Sequence, residues 1–289
     1  MDKPVAPTYF EAQRWASFCL KRAAVPTDGA RFLLLGLTGL DQTQLLIRYR
    51  EPLPHSTWQT YQRTVERVAA GEPAQYVLGW APFADLKLAV TPAVLIPRVE
   101  TEELVEWVLT DHQATSALNV LDVGTGSGAI ALAVKNAQPA WQVAASDVSS
   151  AALAVAKRNA TRLGLTVSFS QRDLLTGVTL ADYDVIISNP PYIAEKERAV
   201  MDASVLDYEP DLALFAANDG LALYARLADQ LADYRGQLSV YLEIGYHQGS
   251  ALRTLFNQKL PTAAFTLHQD LAGHDRMVRL VLNKTQQSN

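Results

Sequence analysis

The sequence predicts an α/β protein: a mostly parallel sheet with an antiparallel last strand, preceded by a small helical region and a β-hairpin linker. Three observations predict it. Strands and helices alternate after residue 117, helical spacing dominates residues 1–75, and a glycine-rich turn follows the first strand of the alternating part. A length of 289 residues suits about two domains. With 49% hydrophobic and 19% charged residues the chain has the composition of a protein with a sizeable core, not of a disordered or fibrous one.

In the first part, Thr8 and Glu11 have the spacing of a capping box, and Trp15, Phe18 and Cys19 continue at helical spacing. Asp41 is placed to cap a second helix carrying Leu45, Leu46 and Tyr49. Ser56 is placed to cap a third, with Trp58, Tyr61, Val65, Val68 and Ala69 on one face before Gly71 and Pro73 end it. These stripes read as core. Stretches 76–79 and 86–90, parted by Pro82 and Asp85, read as short strands of a hairpin or linker. Thr101 opens an amphipathic helix with Leu104, Val105 and Val108 on one side.

The alternating part follows. Strands are predicted at 118–123, 143–146, 167–170, 184–188 and 238–244, with a helix beginning at 130–134 and others at 151–163 and 221–234. Stretches 265–268 and 277–282 make the last pair. The expected domains are therefore a helical region over 1–75, a hairpin linker over 76–97 and a sheet domain over 98–289.

Charge divides along the same line. The formal net charge is −5; residues 1–75 carry nine Lys/Arg against seven Asp/Glu, and the remainder 16 against 23. No overall basic field would draw in nucleic acid, and none is expected as a direct partner. The single cysteine, Cys19, cannot form an internal disulfide and reads as a small buried residue. The five histidines are isolated in sequence without metal-ligand spacing, so no metal is expected. The amino terminus lacks the apolar region of a signal peptide, and the longest apolar stretch, 32–40, falls short of the ~20 residues that cross a membrane. A cytoplasmic location away from membranes is the expectation.

Chemistry concentrates at three places. Asp122-Val-Gly124-Thr125-Gly126-Ser127-Gly128 follows the first strand and opens a helix. Glycines there let the chain turn sharply and let its backbone approach a ligand without a Cβ in the way. Asp147 ends the second strand, where a carboxylate can accept both hydroxyls of a ribose. Asp173 and Leu174 follow the third strand and pair an acceptor with an apolar surface, as an adenine requires. With Ala129 the run also satisfies the looser G-x-G-x-x-A fingerprint, so NAD fits the spacing as well.

The fourth strand ends in Asn189-Pro190-Pro191-Tyr192. Ligands of open α/β sheets bind beyond the carboxyl ends of the strands, so this motif faces the same crevice. Two prolines fix φ and remove N–H groups. Asn189 offers a side-chain oxygen, Pro190 a backbone oxygen and Tyr192 a flat face, which together make a rigid acceptor site for a planar NH2 group. Such a nitrogen is a poor nucleophile because its lone pair is delocalised. Acceptors that hold its hydrogens favour a pyramidal nitrogen and aim the freed lone pair at an electrophile such as the methyl of S-adenosylmethionine.

On these motifs the chain resembles the peptide chain release factor glutamine N5-methyltransferase family. The resemblance spans nearly the whole sequence. It includes Gly71-Glu-Pro-Ala-Gln-Tyr76-Val-Leu-Gly79, Leu95-Ile-Pro-Arg98-Val-Glu100-Thr101-Glu102, Tyr208-Glu-Pro-Asp-Leu-Ala-Leu214, Leu242-Glu-Ile-Gly245 and Asp270-Leu-Ala-Gly273-His-Asp-Arg276. It implies a Rossmann-like class I methyltransferase domain that methylates the glutamine amide in the Gly-Gly-Gln motif of class I release factors and so modulates translation termination. It implies that residues 124–128, Asp147, Asp173, Leu174 and Asn189 hold S-adenosylmethionine, with S-adenosylhomocysteine as product. It implies that Asn189, Pro190, Pro191 and Tyr192 hold the glutamine, that the helical region helps dock the release factor, and that the protein acts as a monomer.

Two positions depart from the family pattern. Val99 stands where proline is usual, and His274 where arginine or lysine is common. The competing reading is an adenine-N6 methyltransferase of DNA or RNA, because an exocyclic NH2 fits the same acceptors. The acidic second part and the lack of a basic, aromatic-rich recognition segment weigh against it. An NAD-dependent oxidoreductase would have no use for Asn-Pro-Pro-Tyr, and intact motifs argue against a silent binding protein.

Overall fold

The structure is a computed structural model and describes residues 6–283. Contacts divide the chain into two units: one runs up to Trp80 and takes in Asp202–Tyr208, and the other comprises Ala81–Met201 and the chain from Glu209 onward.

The first unit is helical: α1 (Tyr9–Arg22), α2 (Asp28–Thr38), α3 (Gln42–Ile47), α4 (His55–Ala69) and α5 (Ala74–Leu78). The Thr8–Glu11 capping box starts α1 as the spacing predicts, and Asp41 starts α3 with Gln44 as its reciprocal partner. Tyr9, Ala12, Trp15, Ala16 and Leu20 form the buried stripe of α1; Trp58, Tyr61, Thr64, Val65 and Val68 form that of α4. The Trp15 and Trp58 rings meet edge to face, centroids 4.9 Å apart. Tyr61 satisfies its buried hydroxyl by donating to the Ala30 carbonyl at 2.7 Å.

Two readings of this part need correction. Ser56 is not the cap of its helix, which begins at His55 after Pro54. Residues 76–79 are not a strand: Pro73 and left-handed Gly79 (φ 74°) bracket the turn of helix α5. The hairpin itself follows, β1 (Trp80–Phe83) pairing with β2 (Leu86–Ala89), with Pro82 inside its first strand and Ala84 and Asp85 both at positive φ in the turn.

The second unit continues with α6 (Val99–Asp111), β3 (Asn119–Val123), α7 (Ala129–Ala137), β4 (Gln142–Asp147), α8 (Ser150–Leu163), β5 (Ser168–Gln171) and β6 (Val185–Ser188). After β6 comes α9 (Ala203–Tyr208), which belongs to the helical unit by contacts. The chain then forms α10 (Asp211–Leu214), α11 (Ala222–Leu231), β7 (Leu238–Glu243), α12 (Gly249–Lys259), β8 (Ala264–Gln269) and β9 (Asp275–Leu282). The strands agree with the sequence reading to within about two residues at each end. Helix α12 was not read from the sequence, and α6 starts at Val99, so Thr101 lies inside the helix and not at its mouth.

Seven strands pair in the order β5-β4-β3-β6-β7-β9-β8. Strands β3 to β7 run parallel, while β9 is antiparallel to both β7 and β8. A parallel sheet must be covered on both faces. Here α6, α7 and the hairpin cover one face through Leu104, Leu132 and Leu88, and α11 and α12 the other through Tyr224, Leu227, Leu252 and Phe256. The order reverses at β3, which pairs Val123 with Ser146 of β4 on one side and with Ser188 of β6 on the other. That register places the glycine turn, Asp147 and Asn189 at three neighbouring strand ends, the switch point where open α/β sheets bind ligands.

Candidate active site

The glycine turn leaves β3 with Gly124 at φ 75°, Gly126 at φ 56° and Gly128 at φ 87°. A Cβ built on Gly124 or Gly126 would meet no atom within 4 Å, so the backbone there faces open space at a conformation that L side chains rarely adopt. The Ser146 carbonyl accepts from the Gly124 and Thr125 amides at 2.8 and 2.9 Å and fixes the start of the turn. Thr125 and Ser127 are buried, and their side chains face the fold.

Asp147 does more than wait for a ligand. Its Oδ2 accepts from the Gly126 amide at 2.9 Å and its Oδ1 from the Ser149 amide at 2.8 Å. Each carboxylate oxygen keeps a second acceptor direction. Asp173 lies two residues beyond β5, is exposed, and pairs with Arg226 at 2.6 Å. Leu174, beside it, is held at φ 51° and is partly buried.

Asp122 heads the glycine-rich run at the end of β3. It is fully buried; Oδ2 accepts from the Thr125 hydroxyl at 2.5 Å and the Ala131 amide at 3.1 Å, and Oδ1 has no partner. Burial pushes its carboxyl up to about 7, against the pull of the Thr125 and Ala131 hydrogen bonds. An orphaned buried acceptor under the open turn fits a ligand that brings a cationic or N–H group.

Asn189 and Tyr192 stand at the end of β6. Asn189 donates Nδ2–H to the Thr101 hydroxyl at 3.1 Å, and Thr101 donates to Oε2 of Glu243 at 2.6 Å. Tyr192 donates its hydroxyl to Oε1 of the same carboxylate at 3.3 Å. Pro190 is buried and Pro191 partly so. The Tyr192 carbonyl accepts from Gln248 Nε2 at 2.9 Å, and Gln248 Oε1 in turn accepts from the Gly245 amide. Gly220, at φ 82°, passes so close that a Cβ on it would lie 2.0 Å from the Tyr192 carbonyl oxygen. The proline-framed loop is thus clamped from several sides.

Three further segments of the family resemblance are held by buried carboxylates. The buried carboxylate of Glu209 accepts from Arg98 at 2.6 Å and from the Ile96 amide at 3.1 Å. Asp270 accepts from the Ala272 and His274 amides and from Arg276 Nε at 3.1 Å. His274 therefore contributes its backbone to the turn, while Val99 is an exposed residue of the first turn of α6.

Thr101, Glu243 and Asn159 escaped the sequence reading as site residues. Glu243 carried a signal: a carboxylate inside an otherwise apolar strand. Asn159 carried another, a carboxamide on the same helical stripe as Ala152, Ala156 and Ala160. Among the described residues no group of three or more His, Cys, Asp or Glu could hold a metal ion, and no helix is long and apolar enough to cross a membrane.

Comparison with known proteins gives the site its context. Residues 11–79 match the PrmC N-terminal domain, and residues 101–206 match the Methyltransferase small domain. A release factor glutamine methyltransferase of Lactococcus lactis is 45% identical over 86% of this chain and 91% of that protein. The chain belongs to the release factor glutamine methyltransferase family. Another member, from Enterococcus faecalis, is 41% identical over 94% of this chain and 99% of its own. The resemblance read from the motifs therefore holds across both units. Among solved structures, the hMettl16 catalytic domain in complex with MAT2A 3'UTR hairpin 1 superposes with a TM-score of 0.54 over 79% of this chain and 82% of that one. At 17% identity this is a likeness of fold alone. Membership of the family makes the chain a methyltransferase and favours the glutamine reading over adenine.

Proposed function

We propose that this enzyme methylates the side-chain amide nitrogen of the glutamine in the Gly-Gly-Gln motif of class I release factors, acting as a monomer. One observation carries the site assignment: Asn189 has its NH2 tied to Thr101, so its carboxamide oxygen lies on the other arm, at the strand end next to the glycine turn.

S-adenosylmethionine fits the residues present. Gly124, Thr125, Gly126, Ser127 and Gly128 would line it, Asp147 would accept its ribose hydroxyls, and the orphan Oδ1 of Asp122 suits its ammonium. Asp173 and Leu174 would flank the adenine, with Asp173 sharing its charge with Arg226. When bound, this cosubstrate supplies an electrophilic methyl carbon on a sulfonium. The chain's own task is to prepare the nitrogen.

Asn189 Oδ1 and the Pro190 carbonyl accept the two N–H hydrogens of the glutamine amide, and the Tyr192 ring covers its plane. An amide nitrogen so held loses conjugation with its carbonyl and presents its lone pair in one direction. Positive charge appears on that nitrogen only as the new N–C bond forms and the sulfonium C–S bond breaks, so the two acceptors favour the transition state over the ground state, and the surplus N–H proton leaves to solvent afterwards. Burial and the neighbouring Glu243 charge hold the Tyr192 phenol above its usual range, so it remains a donor to Glu243 and not a base. The first unit, with its family-matched residues 11–79, would give the release factor a docking surface.

The test is a mass spectrum of the Gly-Gly-Gln peptide from a class I release factor after incubation with the enzyme and S-adenosylmethionine. One added methyl on the glutamine supports the reading. Labelled nucleic acid with an unmodified release factor would overturn it.

A further inference from the structure

Three segments meet beneath Asn189: α6 through Thr101, β7 through Glu243, and the loop after β6 through Asn189 and Tyr192. Thr101 is 4% exposed and Glu243 1%. A carboxylate so deep costs several kcal/mol to desolvate and persists where its oxygens are bonded. Both of Glu243's are, to Thr101 and Tyr192.

The direction of each bond in this chain is forced. An ionised carboxylate only accepts. Thr101 has one hydroxyl hydrogen and gives it to Glu243, so toward Asn189 it can only accept. Asn189 must then turn its NH2 to Thr101, and its oxygen goes to the other arm. Carboxamide orientations are nearly equal in shape, so packing alone does not choose between them. The flipped orientation would set an NH2 against the NH2 of the substrate, donor against donor.

Resting on the amide-methylation reading above, we propose that Thr101 and Glu243 are positioning residues: their relay fixes the Asn189 carboxamide with its oxygen toward the substrate nitrogen. Neither touches the reacting atoms. The same carboxylate holds the Tyr192 hydroxyl, so the two polar members of the motif are set by one buried group.

The relay has a proton dependence. Glu100 and Thr101 from α6, Tyr192 from the loop after β6, Tyr224 from α11 and Arg276 from β9 face Glu243, with Tyr224 donating to the Glu243 main-chain oxygen at 2.6 Å. Burial pushes the Glu243 carboxyl up to about 7, partly offset by Thr101 and Arg276. The two phenols are driven well above that range. A protonated Glu243 donates to Thr101, whose hydrogen then turns to Asn189 and favours the flipped carboxamide. Turnover at saturating cosubstrate should therefore rise with pH through neutrality.

The experiment uses the full-length enzyme, S-adenosylmethionine and a class I release factor. Thr101→Val removes the hydroxyl and keeps the shape; it should lower kcat by about tenfold or more, as misplacement of a catalytic group does, with cosubstrate affinity by calorimetry unchanged. Thr101→Ser should restore most of the rate. Glu243→Gln should flatten the rise of kcat through neutral pH. Should Glu243→Gln fail to fold, the Val and Ser pair decides alone. A Thr101→Val enzyme with the kcat and pH profile of the parent overturns the relay. A parent enzyme that leaves the release factor unmodified overturns the proposed function instead.

Discussion

The Asn159 carboxamide, buried in α8, donates to the Ser127 carbonyl of the glycine turn at 2.9 Å. The same group takes the Ala89 amide at 2.7 Å and gives to the Ala89 carbonyl at 3.0 Å. One side chain thus fastens the end of the hairpin and the ligand-facing turn to a single helix. Replacing it by alanine strands three backbone groups in a dry site, each at about 1–3 kcal/mol. Asn159→Ala is expected to unfold at lower denaturant and to bind S-adenosylmethionine more weakly. Unchanged cosubstrate affinity in calorimetry would mean the turn holds its shape without this anchor.

Asp147 has two tasks, and substitution separates them. Asp147→Ala removes the ribose acceptor and also frees the Gly126 and Ser149 amides. Asp147→Asn keeps one acceptor oxygen. Cosubstrate affinity should fall in the order Asp, Asn, Ala, with kcat at saturation falling less than affinity. Equal affinity for all three contradicts the ribose role.

Asp122 predicts a pH effect on stability. Its native carboxyl titrates near 7 against 3.8 when unperturbed, so the folded protein holds the proton more tightly than the unfolded chain. That stabilisation is complete below the unfolded value and is lost as pH rises through about 7. His112 works the other way, since burial lowers its value, but it is common to parent and variant. The melting temperature of ligand-free Asp122→Asn should therefore gain on the parent between about pH 4 and 7 and hold that gain above it. A difference independent of pH would contradict this. Cosubstrate binding near neutrality should also release a proton from the parent and none from the variant, read from the buffer dependence of the binding heat.

Much of this was legible in the sequence because local chemistry decided it. Capping at Thr8 and Asp41, the alternation of strand and helix, and the glycine turn each depend on neighbours within a few positions. Ser56 and the segment at 76–79 misled because Pro54, Pro73 and Gly79 set the boundaries more firmly than the side chains beside them. The relay was hidden for a different reason. Thr101 lies 142 positions from Glu243 and 88 from Asn189, and only the strand order brings them together. In sequence, Thr101 looks like a helix cap and Glu243 like a stray charge in a strand.

The central claim is that Asn189 orients the substrate nitrogen. The measurement that tests it most directly is single-turnover methyl transfer to a class I release factor by Asn189→Ala, with cosubstrate binding measured on the same protein. Loss of one positioned polar partner predicts a rate lower by roughly 10²-fold or more, with affinity for S-adenosylmethionine close to that of the parent. A variant that transfers methyl at near the parent rate would contradict it and place the amide in other hands.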